Sequence, residues 1–456
     1  MAKKKRTRYV CSNCGWETSQ WLGNCGSCSQ WNTLEEVVIP DESGLKSHKS
    51  RLQQQDTGAR KPYSLNEIPI SEADRLDVGM AELNRVLGGG LMPGSFVLLG
   101  GDPGIGKSTL ALQCASMLIG QKTLYVSGEE SLAQIRQRAH RLDIQAEHLR
   151  IYTETEIMQV IETVRSEKPG ILVIDSIQTV YHSTLQSMPG TTAQIRECAA
   201  LLMQLAKQEK ITVIAIGHVT KDGDLAGPRI LEHMVDTVLQ FEGDKQSHHR
   251  ILRTLKNRFG PAQEVGVFEM DNGGLREVTN PSELFLSEFD PSVSGNAVVC
   301  SMEGTRPLLI EVQALVTPTS YGMPQRTASG FDHRRLSLLL AVLEKRCGWQ
   351  FSQHDVFLNV AGGMKLSETA CDLGIASALV SSLSGKAAAE PVVMIGEVGL
   401  GAEVRRVTQL VRRLEEAEAM GFRHAVVPQG FAEDRNGLKI SAVRSIDDAL
   451  KKSRLI

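Results

Sequence analysis

The sequence lacks the features that mark membrane, secreted and strongly nucleic-acid-coating proteins. No apolar run approaches the roughly 20 residues that a transmembrane helix needs, and the basic N-terminal segment has no apolar signal-peptide region. Aromatic residues make up only 5% of the chain, and 50 basic against 53 acidic residues leave a net charge of -3. Any polyanion site must therefore be a local patch. We expect a cytoplasmic protein with no membrane partner.

Nine cysteines are present, and they fall into two groups. Five are scattered through apolar or helical stretches, as reduced core thiols usually are. The other four form two Cys-x-x-Cys pairs separated by ten residues: Cys11, Cys14, Cys25 and Cys28. Two such pairs can present four thiolates tetrahedrally to Zn²⁺, and disulfides are disfavoured in a cytosolic protein. The sequence therefore predicts a zinc-binding module, in which we expect Trp16, Trp21 and Trp31 to pack on the small core, with stacking on a base or partner as the alternative.

An octapeptide with the P-loop pattern GxxxxGK[ST] lies between an apolar run at residues 95–100 and a helical pattern at 109–119. Glycines let the backbone wrap a polyphosphate with its N–H groups inward, and the helix N-terminus adds positive potential. In this pattern Lys107 reaches the β and γ phosphates, and the Ser108 hydroxyl coordinates Mg²⁺. The predicted nucleotide-binding residues are Gly101, Asp102, Pro103, Gly104, Ile105, Gly106, Lys107, Ser108 and Thr109. The chain is predicted to bind and hydrolyse ATP.

Carboxylates follow two other predicted strands. The apolar run at residues 171–174 ends in Asp175, the pattern of a strand that holds the Mg²⁺ shell beside a P-loop. Glu129 and Glu130 follow the strand that comes after the P-loop, and they should project from the same sheet edge. One of them is the candidate base that orients the attacking water. The sequence does not separate the two.

Several motifs resemble the bacterial RadA family, also called Sms, of recombination and repair proteins. They are the lead-in at residues 87–95, GEES at 128–131, the segment 216–228 and KNRFG at 256–260. The resemblance implies a RecA-like core and a DNA-dependent ATPase of homologous recombination and repair. It implies a hexameric ring that translocates on single-stranded DNA and promotes branch migration. The implied partners are single-stranded and branched DNA and the RecA recombinase, and the implied cofactors are ATP, Mg²⁺ and Zn²⁺.

The KNRFG motif carries two cations, Lys256 and Arg258, which we expect at the turn after a strand. In ring-shaped RecA-like motors, cations in such a place reach the nucleotide of the neighbouring subunit and stabilise the transferring phosphoryl. The alternative is that both bind DNA phosphates. The resemblance also implies single-stranded DNA binding by the loops at residues 176–193 and 218–229.

The C-terminal part is similar to the proteolytic domain of Lon, which cuts peptides with a serine and a lysine. The similarity is carried by residues 358–363, 378–382 and 396–400. Ala370 stands at the serine position, and the lysine position falls near Val411. We therefore expect a non-proteolytic domain. Four arginines are expected to form a basic surface cluster: Arg405, Arg406, Arg412 and Arg413. A DNA-binding face and a solvated helix face are the two alternatives for this cluster.

These patterns predict an α/β protein with four segments. They are a four-Cys zinc module at 1–36, a linker at 37–62, a RecA-like P-loop ATPase domain at 63–280, and a non-proteolytic α+β Lon-like domain at 281–456. Two other functions stay open. One is an ATP-dependent protease, which the absent serine and lysine disfavour, and the other is a nucleotide-gated protein switch that binds no DNA.

Overall fold

The computed structural model describes residues 6–11, 17–26, 29–39, 64, 75–217, 230–243, 248–319, 322–431 and 437–455. The chain divides into two compact units. The first comprises Met1–Met80, Gly89–Gln240 and Leu255–Gly260, and the second comprises Ala81–Gly88, Phe241–Thr254 and Pro261–Ile456. The predicted limits of the four segments stay predictions.

Helices and strands alternate through most of the described residues. The helices are α1 (Ala81–Leu87), α2 (Lys107–Met117), α3 (Leu132–Arg141), α4 (Ile157–Glu167), α5 (Thr192–Glu209), α6 (Ile230–Met234), α7 (Pro281–Phe285), α8 (His333–Cys347), α9 (Asp372–Ser384), α10 (Leu410–Ala419) and α11 (Ile446–Lys452). The strands are β1 (Arg6–Cys11), β2 (Glu17–Thr18), β3 (Leu34–Ile39), β4 (Phe96–Gly101), β5 (Thr123–Ser127), β6 (Leu149–Thr153), β7 (Ile171–Asp175), β8 (Thr212–Ile216), β9 (Thr237–Glu242), β10 (His249–Asn257), β11 (Val265–Asp271), β12 (Gly274–Glu277), β13 (Asn296–Glu303), β14 (Arg306–Pro318), β15 (Arg326–Ser329), β16 (His354–Val360), β17 (Val393–Met394), β18 (Glu397–Val398), β19 (Val404–Arg405), β20 (His424–Pro428) and β21 (Lys439–Val443).

The N-terminal module is a three-stranded antiparallel sheet in the order β2-β1-β3. Cys11 and Cys25 are buried, and they cluster with Leu34, so one cysteine of each predicted pair reaches the same small core. The expected packing of the tryptophans is wrong for Trp21 and Trp31, because 57% and 73% of their surfaces are exposed. So small a sheet has too little apolar area to cover every large ring. Trp16, Cys14 and Cys28 lie outside the described residues.

The core of the first unit is a sheet whose strands run in the order β9-β4-β8-β7-β5-β6. The pairs β4–β8, β8–β7, β7–β5 and β5–β6 are all parallel. Strands β4, β5, β7 and β8 are buried along their whole length, which explains their nearly continuous apolar sequences. Strand β8 lies between the P-loop strand β4 and the strand β7 that ends in Asp175. Strand β4 lies within one residue of the apolar run predicted at 95–100, and β7 spans the run at 171–174 and ends at Asp175, as predicted.

The second unit contains a mixed seven-stranded sheet in the order β15-β16-β14-β13-β17-β20-β21. Alternate residues of β13 face opposite layers, as the period of two in a strand requires. Val299 packs with residues of α8, α9 and α11, whereas Val298 packs with residues of α10. The α+β character predicted for this part of the chain is confirmed.

The expected basic cluster of this unit is wrong in one member. Arg413 is 0% exposed, and its guanidinium forms two hydrogen bonds with the Glu368 carboxylate, at 2.6 and 2.7 Å, and donates to the carbonyl of Cys300. A buried guanidinium needs such partners, because an unpaired buried charge is costly. Ala370 is buried as well, and Val411 is partly exposed. One arginine of the basic sequence on α10 therefore belongs to a buried ion pair and not to the surface.

Candidate nucleotide site

The P-loop connects β4 to α2 through residues that adopt positive φ angles. Gly104 has a φ of 80° and Gly106 a φ of 118°, both in the left-handed region that favours glycine. Gly106 is the N-cap of α2, and a glycine has no side chain with which to cap the helix. The first amide groups of α2 are therefore available to an anion at the helix N-terminus.

Lys107 begins α2 and points back into the loop. Its side chain is buried, with 4% of the residue exposed, and its ammonium donates to the carbonyls of Gly101 and Asp102 at 2.7 and 2.8 Å. Burial lowers the pKa of Lys107 from 10.5 to about 8, and the negative charges of Asp175, Asp102 and Glu129 oppose that shift. The ammonium therefore lies close to three carboxylates in a partly dehydrated loop.

Asp175 lies at the carboxyl end of β7, where sequence predicted it. Its register partner on β5 is Ser127, so the segment that follows β5 begins beside Asp175. Asp175 is 5% exposed, and the hydroxyl of Tyr125 donates to its Oδ2 at 2.5 Å. The parallel register thus brings the Asp175 carboxylate and residues 128–131 to one edge of the sheet.

The structure gives Glu129 and Glu130 different surroundings. Glu129 accepts a hydrogen bond from the Ser176 hydroxyl at 2.5 Å, and its charge acts on Lys107. Glu130 instead forms an ion pair with Arg138 on α3, also at 2.5 Å. Glu129 is therefore the carboxylate that faces the P-loop lysine, a distinction that their adjacent positions in sequence concealed.

The KNRFG motif differs from the expected turn, because Lys256 and Asn257 still belong to β10. The Lys256 ammonium donates to the carbonyls of Glu232, His233 and Val235 at 2.6, 3.2 and 2.8 Å. Three acceptors match the three protons of an ammonium group. Lys256 thus binds the end of α6 within its own chain.

Arg258 is more open than Lys256. Its side chain is 54% exposed, and its guanidinium lies 3.5 Å from Asp236 Oδ1 and 3.4 Å from the His233 carbonyl. Such a half-exposed ion pair contributes little to stability. Of the two predicted cations, Arg258 is therefore the one that can leave its present contacts for a phosphate at a small cost in free energy. Residues 218–229, the second predicted DNA loop, lie outside the described part of the chain.

Sequence reasoning missed two hydroxyl groups at this site, those of Tyr125 and Ser176. Tyr125 lies within an apolar strand, where the sequence pattern predicts a tyrosine that packs in the hydrophobic core. Ser176 directly follows Asp175 and belongs to the predicted loop at residues 176–193. The only sequence signal was their position: one lies two residues before the end of β5, and the other directly follows β7.

The groups implied by the motifs fit the residues at both candidate metal sites. The Ser108 hydroxyl and the Asp175 carboxylate are oxygen donors, which Mg²⁺ prefers, and Asp175 ends a strand at the P-loop edge of the sheet. In the N-terminal module, the buried thiols of Cys11 and Cys25 are the soft ligands that Zn²⁺ prefers. Ser108 and Asp175 would hold Mg²⁺, and Cys11, Cys14, Cys25 and Cys28 would hold Zn²⁺.

Relatives of this chain match it over nearly its whole length. DNA repair protein RadA of Halalkalibacterium halodurans is 46% identical over 456 residues, with 99% of each chain covered. DNA repair protein RadA of Listeria monocytogenes is 48% identical, again with 99% of each chain covered. The chain belongs to the RadA family of DNA repair proteins. DNA repair protein RadA of Bacillus subtilis, at 45% identity and the same coverage, agrees.

Family models divide the same chain into parts. Residues 61–224 match an AAA domain, residues 9–36 a rubredoxin metal-binding domain, and residues 317–430 the subunit ChlI of Mg-chelatase. The P-loop ATPase core and the zinc-ribbon character of the N-terminal segment are thus confirmed. The crystal structure of the RadB recombinase covers 44% of this chain and 99% of its own, at 24% identity and a TM-score of 0.37. The RadA assignment comes from the full-length relatives.

Within the described residues, none of the helices is both long and apolar enough to cross a membrane.

We expect nucleotide affinity to fall as pH rises through 8. A lysine with a pKa of about 8 is charged below that pH and neutral above it, and a bound polyphosphate stabilises the charged form. Without Mg²⁺, the affinity for ADP should fall about tenfold between pH 7 and pH 9. Fluorescence titration of a labelled ADP measures this.

Calorimetry in two buffers should detect proton uptake on ADP binding at pH 9. In Lys107→Arg, whose guanidinium stays charged, both the pH dependence and the proton uptake should disappear. Equal affinities at pH 7 and pH 9 in the parent protein would contradict the lowered pKa.

We expect about one zinc ion per chain, measured by metal analysis, and its loss in Cys25→Ser, because a thiolate ligand is removed from a module with little core of its own. Cys347→Ser is the matched control, since Cys347 is a half-buried residue of α8, and it should keep its zinc. Full zinc content in Cys25→Ser would show that the metal is held elsewhere.

Proposed function

We propose that this chain is a DNA-dependent ATPase of homologous recombination and DNA repair. We further propose that it forms a hexameric ring that translocates on single-stranded DNA, promotes branch migration and cooperates with RecA, in the cytoplasm. The observation that carries the ATPase proposal is the convergence of Lys107, Glu129 and Asp175 at one sheet edge. The DNA and ring parts rest on membership of the RadA family.

Each residue at that edge has a distinct task in this proposal. The amides of the P-loop and the start of α2 surround the β and γ phosphates, and Lys107 leaves the carbonyls of Gly101 and Asp102 to contact them. Asp175 and Ser108 hold Mg²⁺, which when bound neutralises charge that develops on the phosphate oxygens. Glu129 orients the attacking water and accepts its proton.

Glu129 is the better candidate base because the Glu130 carboxylate is occupied by an ion pair. The Glu130 carboxylate forms an ion pair with Arg138. The Glu129 carboxylate accepts a hydrogen bond from the Ser176 hydroxyl, and its negative charge opposes the lowering of the Lys107 pKa by burial. The base must reach a water molecule beside the γ-phosphate. The P-loop lysine contacts that phosphate, so a carboxylate near Lys107 is also near the attacking water. Glu130 instead stabilises the start of α3.

The central test is ATP turnover with and without single-stranded DNA. We expect DNA to stimulate turnover, and Lys107→Ala to abolish it because the phosphates lose their cation. Glu129→Gln should reduce turnover by at least about 100-fold, the usual cost of removing a general base. Nucleotide affinity of Glu129→Gln should change little.

Glu130→Gln is the matched control, with the same change one residue away, and it should keep turnover within a few-fold of the parent. Turnover indifferent to DNA would remove the DNA-dependent part of the proposal and favour the protein switch. Equal losses in the two glutamine variants would remove the assignment of the base.

The KNRFG cations divide their tasks in this proposal. Arg258 reaches the nucleotide of the neighbouring subunit and stabilises the transferring phosphoryl, whereas Lys256 positions the segment at the end of α6. Lys256 would have to give up three carbonyl hydrogen bonds to reach a phosphate, whereas Arg258 would give up one half-exposed ion pair and one long hydrogen bond to the His233 carbonyl. This makes hydrolysis depend on assembly.

Mixed rings test the role of Arg258 in trans. Arg258→Ala and Lys107→Ala should each be inactive alone, yet a mixture should regain turnover, because a Lys107→Ala subunit supplies Arg258 to an intact nucleotide site next to it. DNA affinity of Arg258→Ala should stay normal. No recovery on mixing, together with lost DNA affinity, would mean that Arg258 binds DNA phosphates instead.

The protease alternative gains no support from the second unit. The residue at the serine position, Ala370, is buried and carries no nucleophile, and α10 turns its one fully buried arginine toward Glu368.

A further inference from the structure

A buried tyrosine contacts the carboxylate that the proposed function assigns to Mg²⁺. Tyr125 is 1% exposed, and its hydroxyl donates to Asp175 Oδ2 at 2.5 Å. On the paired strand, Val173 is the register partner of Tyr125, and Asp175 lies two residues further on. Tyr125 and Asp175 are thus diagonal neighbours on one face of the sheet, within reach of a long aromatic side chain.

This contact restricts how the carboxylate can turn. A carboxylate has two oxygens, and a short hydrogen bond to one of them fixes the rotation of the group about its last bond. A phenol O–H can donate, whereas an ionised carboxylate only accepts, so Tyr125 is the donor in this hydrogen bond and Asp175 Oδ2 the acceptor. Asp175 Oδ2 therefore accepts the hydrogen bond from Tyr125. Oδ1 is the carboxylate oxygen that remains for the nucleotide site.

We propose that Tyr125 is a positioning residue for the metal-bound nucleotide, because its hydroxyl holds Oδ2 of Asp175 and presents Oδ1 to the Mg²⁺ shell. This inference rests on the proposed role of Asp175. It assigns to a core tyrosine a part in metal affinity that its place within an apolar strand does not suggest. Tyr125 itself contacts neither the metal nor the phosphates.

A purely structural role would have another signature. A buried phenol needs a hydrogen-bond partner, and Asp175 could simply supply one. In that case Tyr125→Phe would change the free energy of unfolding and leave metal affinity alone. A positioning role predicts a change in metal affinity, whether or not stability changes.

The test is the affinity of the ADP-bound protein for Mn²⁺, a spectroscopic substitute for Mg²⁺, measured by electron paramagnetic resonance. Tyr125→Phe removes one oxygen atom and keeps the ring. We expect Mn²⁺ affinity to fall about tenfold, as loss of one charge-assisted hydrogen bond would allow. Metal-free ADP affinity should stay within about twofold, because the P-loop is unchanged.

Tyr152→Phe is the matched control. Tyr152 lies on β6, directly beside β5, and it is half-buried against the opposite apolar layer. It should leave Mn²⁺ affinity unchanged. In an Asp175→Asn background, Tyr125→Phe should have no further effect on Mn²⁺ affinity, because both changes act through the same carboxylate.

Unchanged Mn²⁺ affinity in Tyr125→Phe, or a full tenfold loss on top of Asp175→Asn, would overturn the positioning role. If Asp175→Asn by itself leaves Mn²⁺ affinity intact, the proposed role of Asp175 fails, and the role of Tyr125 fails with it. DNA does not enter this measurement, so the outcome is independent of whether DNA stimulates turnover.

Discussion

The candidate site depends on the parallel register between β5 and β7. That register sets Ser127 beside Asp175 and Tyr125 beside Val173. A slip of one residue would turn Tyr125 and Asp175 to opposite faces of the sheet, because successive side chains of a strand alternate. The contacts that distinguish Glu129 from Glu130, and the hydroxyl that holds Asp175, all follow from this pairing. The apolar layers on both faces maintain it by burying β5 and β7 along their whole length.

Electrostatics explain why the site is poised for a polyphosphate. A buried ammonium next to carboxylates has lost part of its hydration, and its protons are shared with two backbone carbonyls. These carbonyls are weaker acceptors than phosphate oxygens, which carry full charge. Binding of a nucleotide can therefore replace them without leaving the lysine unpaired. Burial of the same ammonium lowers the pKa of Lys107, and that lowered pKa is the cause of the pH dependence expected of nucleotide affinity.

The second unit shows how differently similar residues can be used. The arginines of α10 follow one another in sequence, yet Arg413 is enclosed with Glu368 while Arg412 stays at the surface. In the first unit, the two cations of KNRFG separate in the same way, with Lys256 holding the end of α6 and Arg258 half-exposed. On α10 the difference arises because successive residues of a helix point in different directions. In the KNRFG motif it arises because β10 holds Lys256 but ends at Asn257, so Arg258 lies beyond the strand. A run of like charges is therefore a poor guide to a single surface.

The sequence by itself determined the P-loop, the strand that ends in Asp175, the pairs of cysteines and the change of pattern in the C-terminal part. These signals are local: a glycine turn, an apolar run of five residues and a cysteine spacing are each complete within a short stretch of chain. It could not decide between Glu129 and Glu130, it misjudged the exposure of Trp21 and Trp31, and it gave no role to Tyr125. Only the tertiary structure decided these points. Ser176 contacts Glu129 from 47 residues away, and Asp175 contacts Tyr125 from 50 residues away. The ion pair of Glu130 with Arg138 requires the fold of α3, and the exposure of Trp21 and Trp31 depends on how little of the small sheet covers them.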